Sequence, residues 1–152
     1  MKKILLLIFV LSAALTLGGC KERRSLTAEG FSVITEEAGY RVESIPVSAT
    51  GHWSRTYAYE PDGAFTINFD VYSTEESAVS AFRELRSDYR GSFTARASSI
   101  SEKNGKIHNF YRAKNGGVYY VACRINGTVL HIVTDAENKP AVDKILKKLG
   151  YR

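Results

Sequence analysis

Cys20 is the side chain best placed to do chemistry. It closes the run Leu17-Gly18-Gly19-Cys20, behind Lys2, Lys3 and an apolar stretch from Ile4 to Leu17. A positive end, a short apolar segment, small residues and a cut site, in that order, make an export leader. Small residues at 18 and 19 let a peptidase approach the backbone. Cleavage leaves Cys20 as the first residue, with a thiol that can take diacylglycerol as a thioether. The apolar stretch is about 14 residues, short of the roughly 20 that a spanning helix needs.

No other set of reactive residues has the spacing of a known chemistry. His52, His108 and His131 stand far apart, and none has metal-ligand spacing with another histidine or with Cys123. No HExxH, Walker loop, GxSxG or CxxC occurs. The sequence therefore gives no catalytic residue, no metal ligand and no cofactor. Cys123 lies in an apolar strand pattern, as a small buried side chain would. The nearest base, His131, should point to the opposite face of the same hairpin. His52-Trp53, beside Gly51, could stack on a sugar, lipid or peptide, or fold over the end of the core.

Leu17, Gly18, Gly19 and Cys20 resemble the lipoprotein signal of bacteria: Leu at minus three, small residues at minus two and minus one, then Cys. The resemblance implies residues 1–19 as signal peptide, lipid on Cys20, a short tether through residue 26 and one domain over 27–152. Two or three acyl chains would hold such a protein stably on the outer face of the cell membrane. Loss of Lys2 and Lys3 lowers the net charge from +5 to +3. That is too little for nucleic acid, and no dense basic patch appears. With Cys20 acylated, no internal disulfide can form, so 133 residues must hold by their core.

The elements that must position any site read as α+β. Thr27 can cap a helix over 28–38, which Gly39 ends. Residues 40–47 read as an edge strand stopped by Pro46, and 48–54 as a loop. Tyr57 and Tyr59 lead through Pro61-Asp62-Gly63 into Phe65, Ile67, Phe69 and Val71, a hairpin with one buried and one polar face. Asp70 falls on the wet face. Ser73 and Glu76 have capping-box spacing before a helix with the stripe Ala78, Phe82, Leu85 and Tyr89. That helix is expected to lie on the buried face of the hairpin, with Glu75, Arg83, Glu84, Arg86 and Asp88 wet.

Strands follow at 93–100, 106–113, 118–125 and 128–134, then a helix over 138–149 with Pro140 in its first turn. Asn126-Gly127 is a strong two-residue hairpin signal, and sets Cys123 opposite Leu130, Val121 opposite Ile132 and Tyr119 opposite Thr134. Tyr119, Val121, Cys123 and Ile125 form the core face. Tyr120, Val129, His131 and Val133 lie on the other, which is oddly apolar for a wet surface. Either something covers it or it is a binding surface. The expected architecture is an antiparallel sheet of about five to seven strands with two or three helices, mainly on one face.

Diffuse motifs run through the domain: Thr27 with Phe31, Gly39-Tyr40-x-Val42, Ile67-x-Phe69, Ser77-Ala78 leading to Phe82, Gly117-x-Tyr119, Arg124-x-x-x-Thr128 and Leu149-Gly150-Tyr151. In these the chain resembles a family of uncharacterised small lipoproteins of Gram-positive bacteria. That resemblance implies the address and the fold, and brings no catalytic residue with it. The leading expectation is a membrane-anchored module that binds a protein or envelope component. A small hydrophobic-ligand carrier comes second and a hydrolytic enzyme third.

Overall fold

The computed structural model describes residues 24–46, 52–93 and 99–152. Cys20, the leader, most of the tether, residues 47–51 and residues 94–98 lie outside the described residues, as does the side chain of His52. Helix α1 (Ala28–Glu37) begins at Thr27, whose Oγ1 accepts from the Gly30 amide at 3.0 Å. Gly39 follows with φ of +90°, a conformation that glycine adopts without strain. Strands β1 (Arg41–Pro46), β2 (His52–Tyr59) and β3 (Thr66–Tyr72) form a meander. Next come helix α2 (Glu75–Gly91), strands β4 (Ser99–Asn104), β5 (His108–Asn115), β6 (Val118–Ile125) and β7 (Thr128–Asp135), a 3₁₀ turn, and helix α3 (Lys139–Lys148).

All seven strands join one antiparallel sheet in the order β1-β2-β3-β7-β6-β5-β4. The α+β expectation holds, and β1 takes the edge. The β6–β7 register follows the Asn126-Gly127 turn as expected: Cys123 opposes Leu130, Val121 opposes Ile132 and Tyr119 opposes Thr134. Asn126 takes φ of +49°, as the first residue of such a turn requires.

Two helices pack on the expected face. There α1 and α3 meet Ile67, Phe69, Val121, Cys123, Leu130 and Ile132. Phe31 stacks on Phe69 with centroids 4.5 Å apart. Tyr151 is fully buried beyond the end of α3, and its Oη lies 2.7 Å from Thr128 Oγ1. Thr128 spends its own hydrogen on the Ile125 carbonyl, so the tyrosine is the donor. Tyr151→Phe keeps the ring and removes that bond; urea denaturation should show a loss of about 1 kcal/mol.

Helix α2 corrects the expectation. It crosses the opposite face, over β3, β7 and β6, and buries Ala78, Phe82 and Tyr89 against Tyr111, Tyr120, Ala122 and Val129. The helical stripe was legible; the face it would cover was not, because Thr66, Asn68 and Asp70 made that side of β3 look wet. Its cap is Thr74, one residue beyond Ser73, with Oγ1 accepting from the Ser77 amide at 3.1 Å. His52 and Trp53, expected in a loop, belong to β2, where Trp53 occupies a bulge between the His52–Tyr72 and Ser54–Val71 pairs.

Candidate functional site

The α2-bearing face can be read in rows across the sheet. One runs Ile45, Arg55, Asp70, Val129, Arg124, Asn109, Asn104; the next runs Glu43, Tyr57, Asn68, His131, Ala122, Tyr111, Glu102. The surface expected from Tyr120, Val129, His131 and Val133 is therefore divided. Val129 is fully buried and Tyr120 is 9% exposed, both beneath α2, while Val133 stays 48% exposed. Trp53 is 68% exposed at its bulge and is not gathered with these residues into one patch.

Asp70 is 1% exposed, contrary to the wet position expected for it. Arg55 clasps it with both prongs, Nε to Oδ1 at 2.6 Å and Nη2 to Oδ2 at 3.0 Å. His131 Nε2 lies 3.8 Å from Asp70 Oδ2, and Tyr89 Oη lies 3.4 Å from Nδ1. Burial pushes His131 down to about 4, with Asp70 opposing and Arg55 reinforcing the shift. The imidazole is therefore neutral at pH 7. Cys123 faces the other side of the sheet, as expected, so it makes no thiol–imidazole pair with His131. Asp70 and His131 of the sheet and Tyr89 of α2 form a largely buried polar knot.

A concavity lies elsewhere. An open groove of about 580 Å³ runs between α2 and the turn joining β4 to β5. Val79, Phe82, Arg83 and Arg86 form the helical wall, one face by their spacing. Asn104, Gly105, Lys106 and Asn109 form the other wall, and Arg124 completes the lining. Four of these nine residues are cationic and none is acidic.

Arg124 is 1% exposed, and all three of its hydrogen bonds go to neutral oxygens. Nε donates to Asn109 Oδ1 at 2.6 Å, Nη1 to the Asn126 carbonyl at 2.8 Å and Nη2 to the Lys106 carbonyl at 2.6 Å. Burial lowers its pKa from the ordinary arginine value, with the Glu75 carboxylate acting against that shift. An arginine remains charged even so. Arg86 is held differently. Glu102 bonds Arg86 Nη1 and Arg90 Nη2, each at 2.7 Å, and Asn104 Nδ2 at 2.8 Å, which ties α2 to β4. The Asn104 bond, then Arg86, hold the Glu102 carboxyl below its usual range. Arg83 and Lys106 make no ion pair among the described residues.

Gly105 sets the shape of the turn. A Cβ there would stand 2.8 Å from the His108 carbonyl oxygen. Asn109 Nδ2 donates to the Gly105 carbonyl at 3.1 Å and stitches the loop. Gly105→Ala should force the turn open and cost about 1–3 kcal/mol, read from thermal or urea melting. Among the described residues, no group of three or more histidine, cysteine or acidic side chains could hold a metal ion.

The groove escaped the sequence reading. Arg83 and Arg86 read as the wet side of a helix, and Asn104-Gly105 alone carries no sign of a site. One signal was present: Arg124 interrupts an otherwise apolar strand, Val121-Ala122-Cys123-Arg124-Ile125.

No protein-family model matches the chain, and no curated protein is significantly similar to it. Among solved structures it is similar to a GTP-binding regulator from Thermotoga maritima, with 15% identity, a TM-score of 0.50, and coverage of 83% of this chain and 87% of that one. At that identity the likeness speaks for the fold.

Proposed function

We propose that the chain is a membrane-anchored extracytoplasmic lipoprotein, held by acyl chains on Cys20, whose domain is a binding module for a protein or envelope component. The observation that supports binding through the groove is its charge: four cationic side chains line it, and Arg83 and Lys106 have no carboxylate partner among the described residues. Charge left unbalanced on a concave surface attracts an anionic partner. It favours such a partner over the hydrophobic ligand of the second reading. The hydrolytic reading has less behind it, because His131, Asp70 and Tyr89 meet under α2 and outside the groove.

Two measurements test the two halves of this reading. Mass spectrometry of the protein from native membranes should find diacylglycerol on Cys20; an unmodified thiol there would remove the anchor. A photo-crosslinking side chain placed at Lys106 in intact cells should capture a component that the same group at Lys148, outside the groove, does not. Identical labelling from both positions would argue against the groove.

A further inference from the structure

We infer that the groove recognises a phosphomonoester. The inference rests on the binding-module reading and names the chemistry of the ligand. A carboxylate presents two oxygens in one plane and a single charge, which one arginine fork can satisfy. A phosphomonoester presents three terminal oxygens and a charge of about −1.5 to −2. The groove is built for the second. Arg83 and Arg86 reach it from α2, and Lys106 and Asn104 from the β4–β5 turn, so donors come from opposite walls.

Charge follows the same logic. Glu102 offsets part of Arg86, while Arg83 and Lys106 remain without an acidic partner among the described residues. Arg124 adds a cation at the base of the groove, bonded to neutral oxygens. Glu75, the carboxylate that acts on it, does not line the groove. Val79, half-buried, gives the organic part of the ester an apolar surface, with Phe82 buried at the same wall. About 580 Å³ is room for a phosphoryl group and its alcohol, within the range of small-molecule sites.

A soluble phosphomonoester and a phosphatidate headgroup present the same group. With Cys20 acylated, a tether through residue 26 spans at most about 25 Å and keeps the domain near the bilayer, so both sources enter the test.

The test titrates the full chain, in neutral detergent at fixed ionic strength, with inorganic phosphate, glycerol 3-phosphate and succinate by calorimetry. A parallel arm titrates it, in the same detergent, with short-chain phosphatidate and the matching phosphatidylcholine. Phosphate and glycerol 3-phosphate should bind and succinate should not. R83Q and K106Q change exposed side chains and should leave the melting temperature unaltered, yet each should weaken binding about tenfold. K148Q should bind like the parent. Binding of the free compounds assigns a soluble source; binding of short-chain phosphatidate without such binding assigns a headgroup, and R83Q must weaken whichever is seen. Succinate binding without phosphate binding overturns the phosphomonoester and leaves the module standing. No binding in any arm overturns the inference, and loss of the specific cross-link at position 106 overturns the module reading with it.

Discussion

Arg124→Ala is expected to lower the stability of the domain by about 3–5 kcal/mol in urea denaturation, more than any other single polar substitution in the groove. Three acceptors lose their donor at once: the side chain of Asn109 on β5, the carbonyl of Asn126 in the β6–β7 turn and the carbonyl of Lys106 in the β4–β5 turn. One guanidinium thus joins two turns and the strand between them, and alanine would also leave a void beside Val129. The conservative variants separate what the residue does. Arg124→Met keeps the stem, fills most of the space and removes the desolvated charge, so it should cost less, about 1–3 kcal/mol. Arg124→Lys keeps a charge but cannot fork to three separated acceptors. It should also lose stability. The two should diverge in ligand binding: a positive base to the groove predicts that the lysine variant holds phosphate better than the methionine variant. Equal affinities would make Arg124 a structural clasp and nothing more.

Such a buried cation explains why parts of the molecule were legible in the sequence and parts were not. The hairpin of β6 and β7 could be read residue by residue, because Asn126-Gly127 fixes the register and strict alternation then assigns both faces. The same held for Thr27, Gly39 and the stripe of α2, where local chemistry decides local structure. What failed needed knowledge of pairing between distant segments. Asp70 has polar neighbours on β3, and nothing within β3 announces that Arg55 lies opposite on β2, or that α2 will roof the row. Once the roof is placed, the apolar character of Tyr120, Ala122 and Val129 needs no partner to explain it. The groove likewise joins a helix face to a turn about twenty residues further on, and neither half is unusual alone. Arg124 was the exception. A charged residue within an apolar strand is costly enough to demand a reason, and it sits at the site itself.

The second large effect concerns pH. Lowering the pH from 7 to 4 should remove about 3 kcal/mol of stability through His131 alone. Its imidazole sits at about 4 in the folded domain and near the ordinary 6.5 in the unfolded chain. Above pH 6.5 neither state carries the proton, and the full contribution is present. As the pH falls through that value the unfolded chain binds the proton first, and stability drops by about 1.4 kcal/mol per unit until the folded imidazole also titrates near pH 4. Burial is the leading cause, and Tyr89 Oη of α2 lies 3.4 Å from Nδ1. Asp70 would favour the charged form, but Arg55 already occupies both carboxylate oxygens, and at 3.8 Å His131 receives only part of that field. Tyr89 keeps its proton, pushed up by burial, and so stands beside the ring as a neutral group. His131→Gln should therefore give urea midpoints nearly flat across pH 7 to 4 compared with the parent. A parent curve already flat there would mean that Asp70 stabilises the imidazolium enough to cancel the cost of burying it.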